Sequence, residues 1–443
     1  MAATRLRAQE ADMEELPPLD SRFDAGAAQA MINDHWDTSI LPALCDFIRI
    51  PSQSPLFDPE WESNGLLDKS IAVLKSWVEA QSIKGLSVEV VSKEGFTPVI
   101  LIEVDATAKG KAAGTVLMYG HADTQPPFVG WNDGLEPYNP VVKDGKLYGR
   151  GSCDDGYAVF CAVSSIMALK TQNLDHGRIV VLIEASEESG SIHLPQHLGT
   201  LKERIGTPNL IVCLDSGCGN YEQLWVTTSL RGVVVGELTA SGIKEGVHSG
   251  DASGIVPSSF RVMRQLLDRL EDSTTGKVLP KGLWCQVPEP RKKQVELAAQ
   301  VLGDTVWSQF PFRDGAIPVE AESEVELALN RTWRPQLSVT GAAGFPTLAQ
   351  AGNVLRPFTT LTLSMRIPPN VVPDRAATII KEVLEADPPL GMKVEYNCKK
   401  AGTGWEAPAV AKWLEMAAET ASQQAYEKPC CYLGEGGSIP FMV

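Results

Sequence analysis

The 443-residue sequence predicts an α/β fold: a mostly parallel central sheet with flanking helices, interrupted by an inserted ferredoxin-like α+β domain. Two patterns carry that expectation. In the first part of the chain, short β-branched runs alternate with helical segments, as in a parallel sheet covered by its crossover helices. Beyond Arg231, two strand-and-helix halves flank a variable middle, the layout of a split βαβ unit. The length agrees, since a single core seldom grows past about 250–300 residues.

The elements follow in order. Residues 1–30 are polar and rich in Ala and acids, and are expected to form a flexible N-terminal arm. A helical pattern runs from about Ala27 to Ile50 and stops at Pro51. A second amphipathic helix is expected from Leu66 to Gln81. LSVEVV, TPVILIEV, GTVLMYG, IVVLIEA and NLIVCLD read as strands, with a helix through AVFCAVSSIMALK. In the inserted region, VVVGELTASG, TLTLSMRIPP and GMKVEYNC read as strands, and VPSSFRVMRQLLDRL and VPDRAATIIKEVLEA as helices. Residues 270–350, with many Pro, Gly and Trp, give no period that assigns an element. A last helix, near Ala407 to Ala425, returns to the first domain. The expected boundaries are 31–228 with 403–443 for the first domain and 229–402 for the insertion.

Composition narrows the function. The net charge of -16 argues against nucleic acid and anionic membranes, which need a basic surface. No apolar run is long enough to cross a bilayer. The start, MAATRLRAQEADMEELPP, has no apolar stretch of the secretory kind. Nine cysteines are scattered without a CxxC pair, and Cys430 and Cys431 are adjacent, which suits reduced thiols and a cytoplasmic location.

The chemistry gathers after the strands of the first domain. His121 and Asp123 lie in YGHADT, Asp154 and Asp155 in YGRGSCDDG, Glu187 and Glu188 in EASEESGS, and Asp215 in CLDSG. Ligands of an open α/β sheet collect at the carboxyl ends of its strands. Singly, an HxD or a double acid is more often a solvated turn. Four such clusters at equivalent places point to one nest of carboxylates around an imidazole, where like charges repel unless a cation joins them. One His with carboxylates fits Zn or Mn better than Ca or Mg.

With YGHADT, GKLYGRGSCDD, EASEESGS, CLDSG, GVHSGDASGIVP and GEGGSIPF in this order, the chain resembles the co-catalytic di-metal peptidases. That group includes carnosinase, cytosolic non-specific dipeptidase, aminoacylase and carboxypeptidase G. The resemblance implies two divalent metal ions and hydrolysis of the amide bond of dipeptides with a free C-terminal carboxylate. It implies that His121 and Asp215 bind one metal, Glu188 the other, and that Asp154 bridges them. Asp123 would fix the imidazole tautomer and Glu187 would be the general base. His248 would donate to the tetrahedral oxyanion from the partner subunit of a homodimer, with the inserted domain serving as lid and dimerisation surface. Arg366, Gly437 and Ser438 would hold the substrate carboxylate, with Asn353 as a further polar contact. His35, His176, His193 and His197 match no motif and are expected to be structural.

Two features depart from the resembling pattern. The chain reads DDGY, with Gly156 and Tyr157, where many of those peptidases have Lys-Gly. It also ends at Val443, whereas they supply a last His ligand beyond GGSIPF. An N-acyl-amino-acid amidohydrolase of the same fold, or a truncated, non-catalytic dimeric remnant, are the alternatives this leaves.

Overall fold

The computed structural model describes residues 22–319 and 321–443. The expected arm at 1–30 falls largely outside them, and from Ala25 onward its last residues are helical. The chain forms two compact units. One comprises residues 22–216 and Val410–Glu427, the other Gly217–Ala409 and Lys428–Val443.

In the first unit the expected opening helix is one helical run in three parts: Ala25–His35, a π-helical turn Trp36–Ile40, and Leu41–Ile48. The helix Leu66–Ala80 buries Leu67, Ile71, Leu74, Trp77 and Val78, one stripe at helical spacing. Trp77 meets Phe160 of the helix Ala158–Thr171 edge to face at 4.6 Å.

The sheet between these helices runs in the order Leu86–Lys93, Phe96–Val104, Arg178–Glu184, Thr115–His121, Leu210–Cys213. The last three strands are mutually parallel, as expected. The first two join antiparallel, so the sheet is mixed rather than mostly parallel. The cause is local: only Glu94 and Gly95 separate the first two strands, and so short a link makes a hairpin but cannot make a crossover. Val180, Val181, Leu182 and Ile183 are all buried, the mark of a central strand covered on both faces.

The second unit contains a four-stranded antiparallel sheet ordered Gln336–Ala343, Phe358–Ile367, Gly232–Ser241, Lys393–Gly402. Alternate residues of Phe358–Ile367 are buried, so one face of this sheet carries the core. The helices Ser259–Leu267 and Pro373–Glu385 supply Val262, Met263, Leu266, Ala376, Ile380 and Leu384 to that core. The middle without a legible period holds the helices Glu289–Leu302 and Glu324–Thr332 around a buried Trp333. Trp225–Leu230 pairs in parallel with Cys431–Glu435. The last helix spans Lys412–Tyr426 and belongs to the first unit.

No helix among the described residues is long and apolar enough to cross a membrane. All nine cysteines are free thiols.

Candidate metal centre

His121, Glu184 and Cys213 are the last residues of the three parallel strands, so the segments following them leave the same sheet edge. Those segments carry Asp123, the Glu187–Glu188 pair and Asp215. The Asp154–Asp155 pair, joined by a cis peptide bond, precedes the helix Ala158–Thr171.

The structure brings His121, Asp154 and Asp215 together, with one donor atom of each within 4.8 Å of the others. His121 Nε2 lies 3.2 Å from Asp154 Oδ1 and 3.9 Å from Asp215 Oδ2. Tetrahedral donors about 2.1 Å from a Zn ion lie roughly 3.4 Å apart, so these three fit one ion. On its other side, His121 Nδ1 is 3.0 Å from the Asp123 main-chain carbonyl, while the Asp123 carboxylate stands 3.6 Å away. The carbonyl thus fixes the tautomer that leaves Nε2 facing the acids.

The Asp123 carboxylate itself accepts the main-chain N–H of Glu187 at 3.1 Å and of Glu188 at 3.0 Å. The two acids follow the buried strand on a single 3-10 turn, Glu187–Ser189, closed by Gly190 at a φ of 87° that suits glycine. Glu188 accepts from Gln125 Nε2 through one oxygen, while its other oxygen is buried with no protein partner. An orphaned buried carboxylate oxygen beside Asp154 fits a second cation.

The electrostatics follow from crowding. Burial alone would strip the proton from His121, but Asp123 and Asp154 hold its pKa well above the usual value. Burial pushes Asp154 up, and the adjacent His121 overrides it and brings it below the carboxylate range. Burial pushes Glu187 up to about 9, with His121 opposing and Asp215, Asp123 and Glu188 adding to the rise. Glu188 is pushed up to about 7 by burial and by Asp154. Two neighbouring acids therefore differ in proton affinity, as a ligand and a proton-carrying base require.

The sequence placed Asp155 in the acid clusters without giving it a role, and passed over Gln125 and Glu184. Asp155 is buried and accepts the His121 main-chain N–H at 3.1 Å. Its signal was present in the DD doublet. Glu184 and Gln125 had none, since a strand-end Glu and a loop Gln are common everywhere.

The remaining candidates lie in the second unit. His248 is exposed, accepts the Gly250 N–H at 3.2 Å, and its short strand pairs with Val354. Asn353 adjoins that ladder, and its carbonyl accepts the Ser249 N–H. Arg366 sits in the register pair with Val233, half-buried, and burial lowers its pKa. Its neighbour Arg231 was not expected. Burial pushes Arg231 down to about 9, with Arg366 and Arg331 adding to the fall. Arg231 donates to the carbonyls of Asn330, Arg334 and Gly436, so it meets the turn that leads into Gly437 and Ser438. The four unmatched histidines have structural settings. His176, His193 and His197 bond to Gly177 or Thr97, and His35 packs on Trp77.

A buried imidazole among carboxylates, at the carboxyl edge of parallel strands, is the kind of site that metal-dependent α/β hydrolases carry. Residues 117–441 match the model of Peptidase family M20/M25/M40, and the chain belongs to that family. Cys-Gly metallodipeptidase dug1 of Schizosaccharomyces pombe is 26% identical over 338 residues, 74% of this chain and 70% of the relative. The Beta-Ala-His dipeptidase of Homo sapiens is 28% identical over 250 residues, 56% of this chain and 48% of the relative, about half its length. Human carnosine dipeptidase 1 superposes with a TM-score of 0.73 at 22% identity, covering 96% of this chain and 89% of that one. Dug1p of Saccharomyces cerevisiae gives 0.72 at 22% identity, covering 95% and 88%. At these identities the structural likeness speaks for the fold.

Proposed function

We propose that this peptidase hydrolyses the amide bond of dipeptides with a free C-terminal carboxylate, using two divalent ions, Zn or Mn. The observation that carries the reading is the convergence of His121 Nε2, Asp154 and Asp215 beside a Glu187 whose proton affinity is raised to about 9. The dipeptidase names of the two curated relatives support the substrate class.

In this reading His121 and Asp215 would hold one ion, Glu188 the other, and Asp154 would contribute to both. When bound, the ions would acidify a water and polarise the scissile carbonyl. Glu187 would take a proton from the attacking water and pass it to the leaving amine, a role suited to an acid with elevated proton affinity. Asp123 positions the imidazole and both acids through its carbonyl and carboxylate. Arg366, Gly437 and Ser438 bind the substrate carboxylate, Asn353 adds a further polar contact, and His248 donates to the oxyanion from the second chain of a homodimer formed through the inserted domain at 229–402. Residues 31–228 and 403–443 then form the catalytic domain. Nine free thiols support a cytoplasmic setting.

Metal analysis with a dipeptide assay tests the reading. The wild-type chain is expected to take up to two Zn or Mn, and Glu187→Gln to keep the metal while turnover falls by roughly 10²–10⁴. No uptake from added metal, or undiminished turnover by the variant, overturns it.

A further inference from the structure

Glu184 is 1% exposed, makes no ion pair among the described residues, and has no part in the chemistry above. Its carboxyl nevertheless accepts three hydroxyls. Tyr119 donates at 2.6 Å and Ser191 at 2.7 Å to one oxygen, and Ser186 donates at 2.9 Å to the other. The positions of the donors matter. Ser186 immediately precedes the turn Glu187–Ser189, and Ser191 follows its closing glycine. Tyr119 stands on the neighbouring strand, two residues before His121. One buried side chain thus grips both ends of the turn that presents Glu187 and Glu188, and ties it to the strand that presents His121.

The turn has further restraints, among them Ser189 N–H and Gly190 N–H on the carbonyls of Ser186 and Glu187 and Leu56 N–H on Ser189 Oγ at 2.8 Å, but none of these joins both of its ends to the His121 strand. Within it, Ser191 N–H reaches the Ser186 carbonyl at 2.8 Å, and Ser189 Oγ meets Ser54 Oγ at 2.6 Å. From the other side, Asp123 receives the two main-chain N–H groups. A buried carboxyl is costly to desolvate and is retained where its acceptors are filled. Three hydroxyl donors fill them here.

We propose that Glu184 is a positioning residue: by clamping Ser186 and Ser191 it sets the turn so that Glu188 is pre-aimed as a metal ligand and Glu187 as the base. The inference rests on the roles given to those two acids above. Because the clamp is a matter of acceptors and shape, Glu184→Gln substitutes for it in part: its carbonyl accepts Tyr119 and Ser191, and its amide donates to Ser186.

The test uses the full chain stripped of metal, with Zn²⁺ alone added in a calorimeter and amide hydrogen exchange followed at residues 186–191. Ser191→Ala and Glu184→Ala are expected to weaken Zn²⁺ binding by roughly tenfold or more, the usual effect of losing a residue that orients a ligand. Both should speed exchange at the turn, and Glu184→Gln should restore binding to within roughly threefold of wild type, the shape-preserving change that mere loss of bulk would not mimic. Wild-type affinity and exchange in a folded Ser191→Ala chain overturn the inference, and this variant decides alone if Glu184→Ala does not fold. If the wild-type chain binds no metal, the di-metal reading fails, and the exchange rates still decide whether the clamp exists.

Discussion

The carboxylate of Asp123 receives the main-chain N–H groups of both Glu187 and Glu188, at 3.1 and 3.0 Å, while its own carbonyl receives the imidazole of His121. One residue thus couples the imidazole to the acid pair across two adjacent strands. The adjacency of Glu187 and Glu188 becomes intelligible through it: their N–H groups point together at one acceptor, which a turn permits and an extended strand does not.

Asp123→Asn replaces one acceptor with an amide donor facing an N–H. The buried mismatch is expected to destabilise the fold by ~1–3 kcal/mol and to weaken metal uptake. Thermal melting and metal titration of the variant measure both, and an unchanged melt would show the bonds to be dispensable.

The proton affinities set a pH dependence for protein freed of metal by chelation. Glu187 holds its proton to about pH 9 when folded, against 4.5 for an ordinary glutamate. The folded state then binds more protons at this group than the unfolded one between these limits, so its contribution to stability is full below about 4.5 and is lost as pH rises toward 9. His121, also raised, acts in the same sense above its ordinary 6.5. Melting temperatures of the chelated protein should therefore fall across this window and flatten when metal is restored. A chelated melting temperature that climbs with pH would contradict the assignment.

Gly120 precedes His121 in the strand, and a Cβ there would lie 2.4 Å from Ala158 Cβ and 2.6 Å from Asp155 Oδ2. Neither neighbour can retreat, one being a helix residue and the other pinned to the His121 N–H. Gly120→Ala should cost ~1–3 kcal/mol by overpacking. A melt within a degree of wild type would show the edge to be looser than this.

The proposed carboxylate contact of Arg366 is testable by subtraction. Arg366→Met should raise KM for a dipeptide by roughly tenfold or more, the loss of a charge-assisted bond. The same dipeptide with an amidated C-terminus should be almost unaffected. Equal losses for acid and amide would remove Arg366 from that role.

Much of this architecture was legible in the chain. The strands ending at His121 and Glu184 are apolar runs followed at once by polar chemistry, and they stand where that pattern puts them. The helix Leu66–Ala80 agrees with its expected span to one residue because its buried stripe is unbroken. The antiparallel edge escaped notice because periodicity fixes a strand but not its direction, which depended on the two residues Glu94 and Gly95. Glu289–Leu302 was missed because Glu, Arg, Lys and Gln dominate it and only a narrow seam around Val295 and Leu302 is buried. Arg231 and Glu184 were invisible for a different reason. Each works through main-chain carbonyls or hydroxyls that only folding assembles, and such partners leave no spacing to read.

The chain passes from the first unit to the second, back for Val410–Glu427, and again to the second for Lys428–Val443. Thr227 and Glu435, 208 residues apart, are joined by a hydroxyl–carboxylate bond at 2.5 Å. During synthesis, then, neither unit can close when its first segment leaves the ribosome. The parallel partner of Trp225–Leu230 is still unmade while the strands between are already exposed, and contacts of such long range form slowly. Nascent chains stalled before residue 428 should hold the second unit open to protease and to chaperones, so its maturation waits on the emergence of Cys431–Glu435.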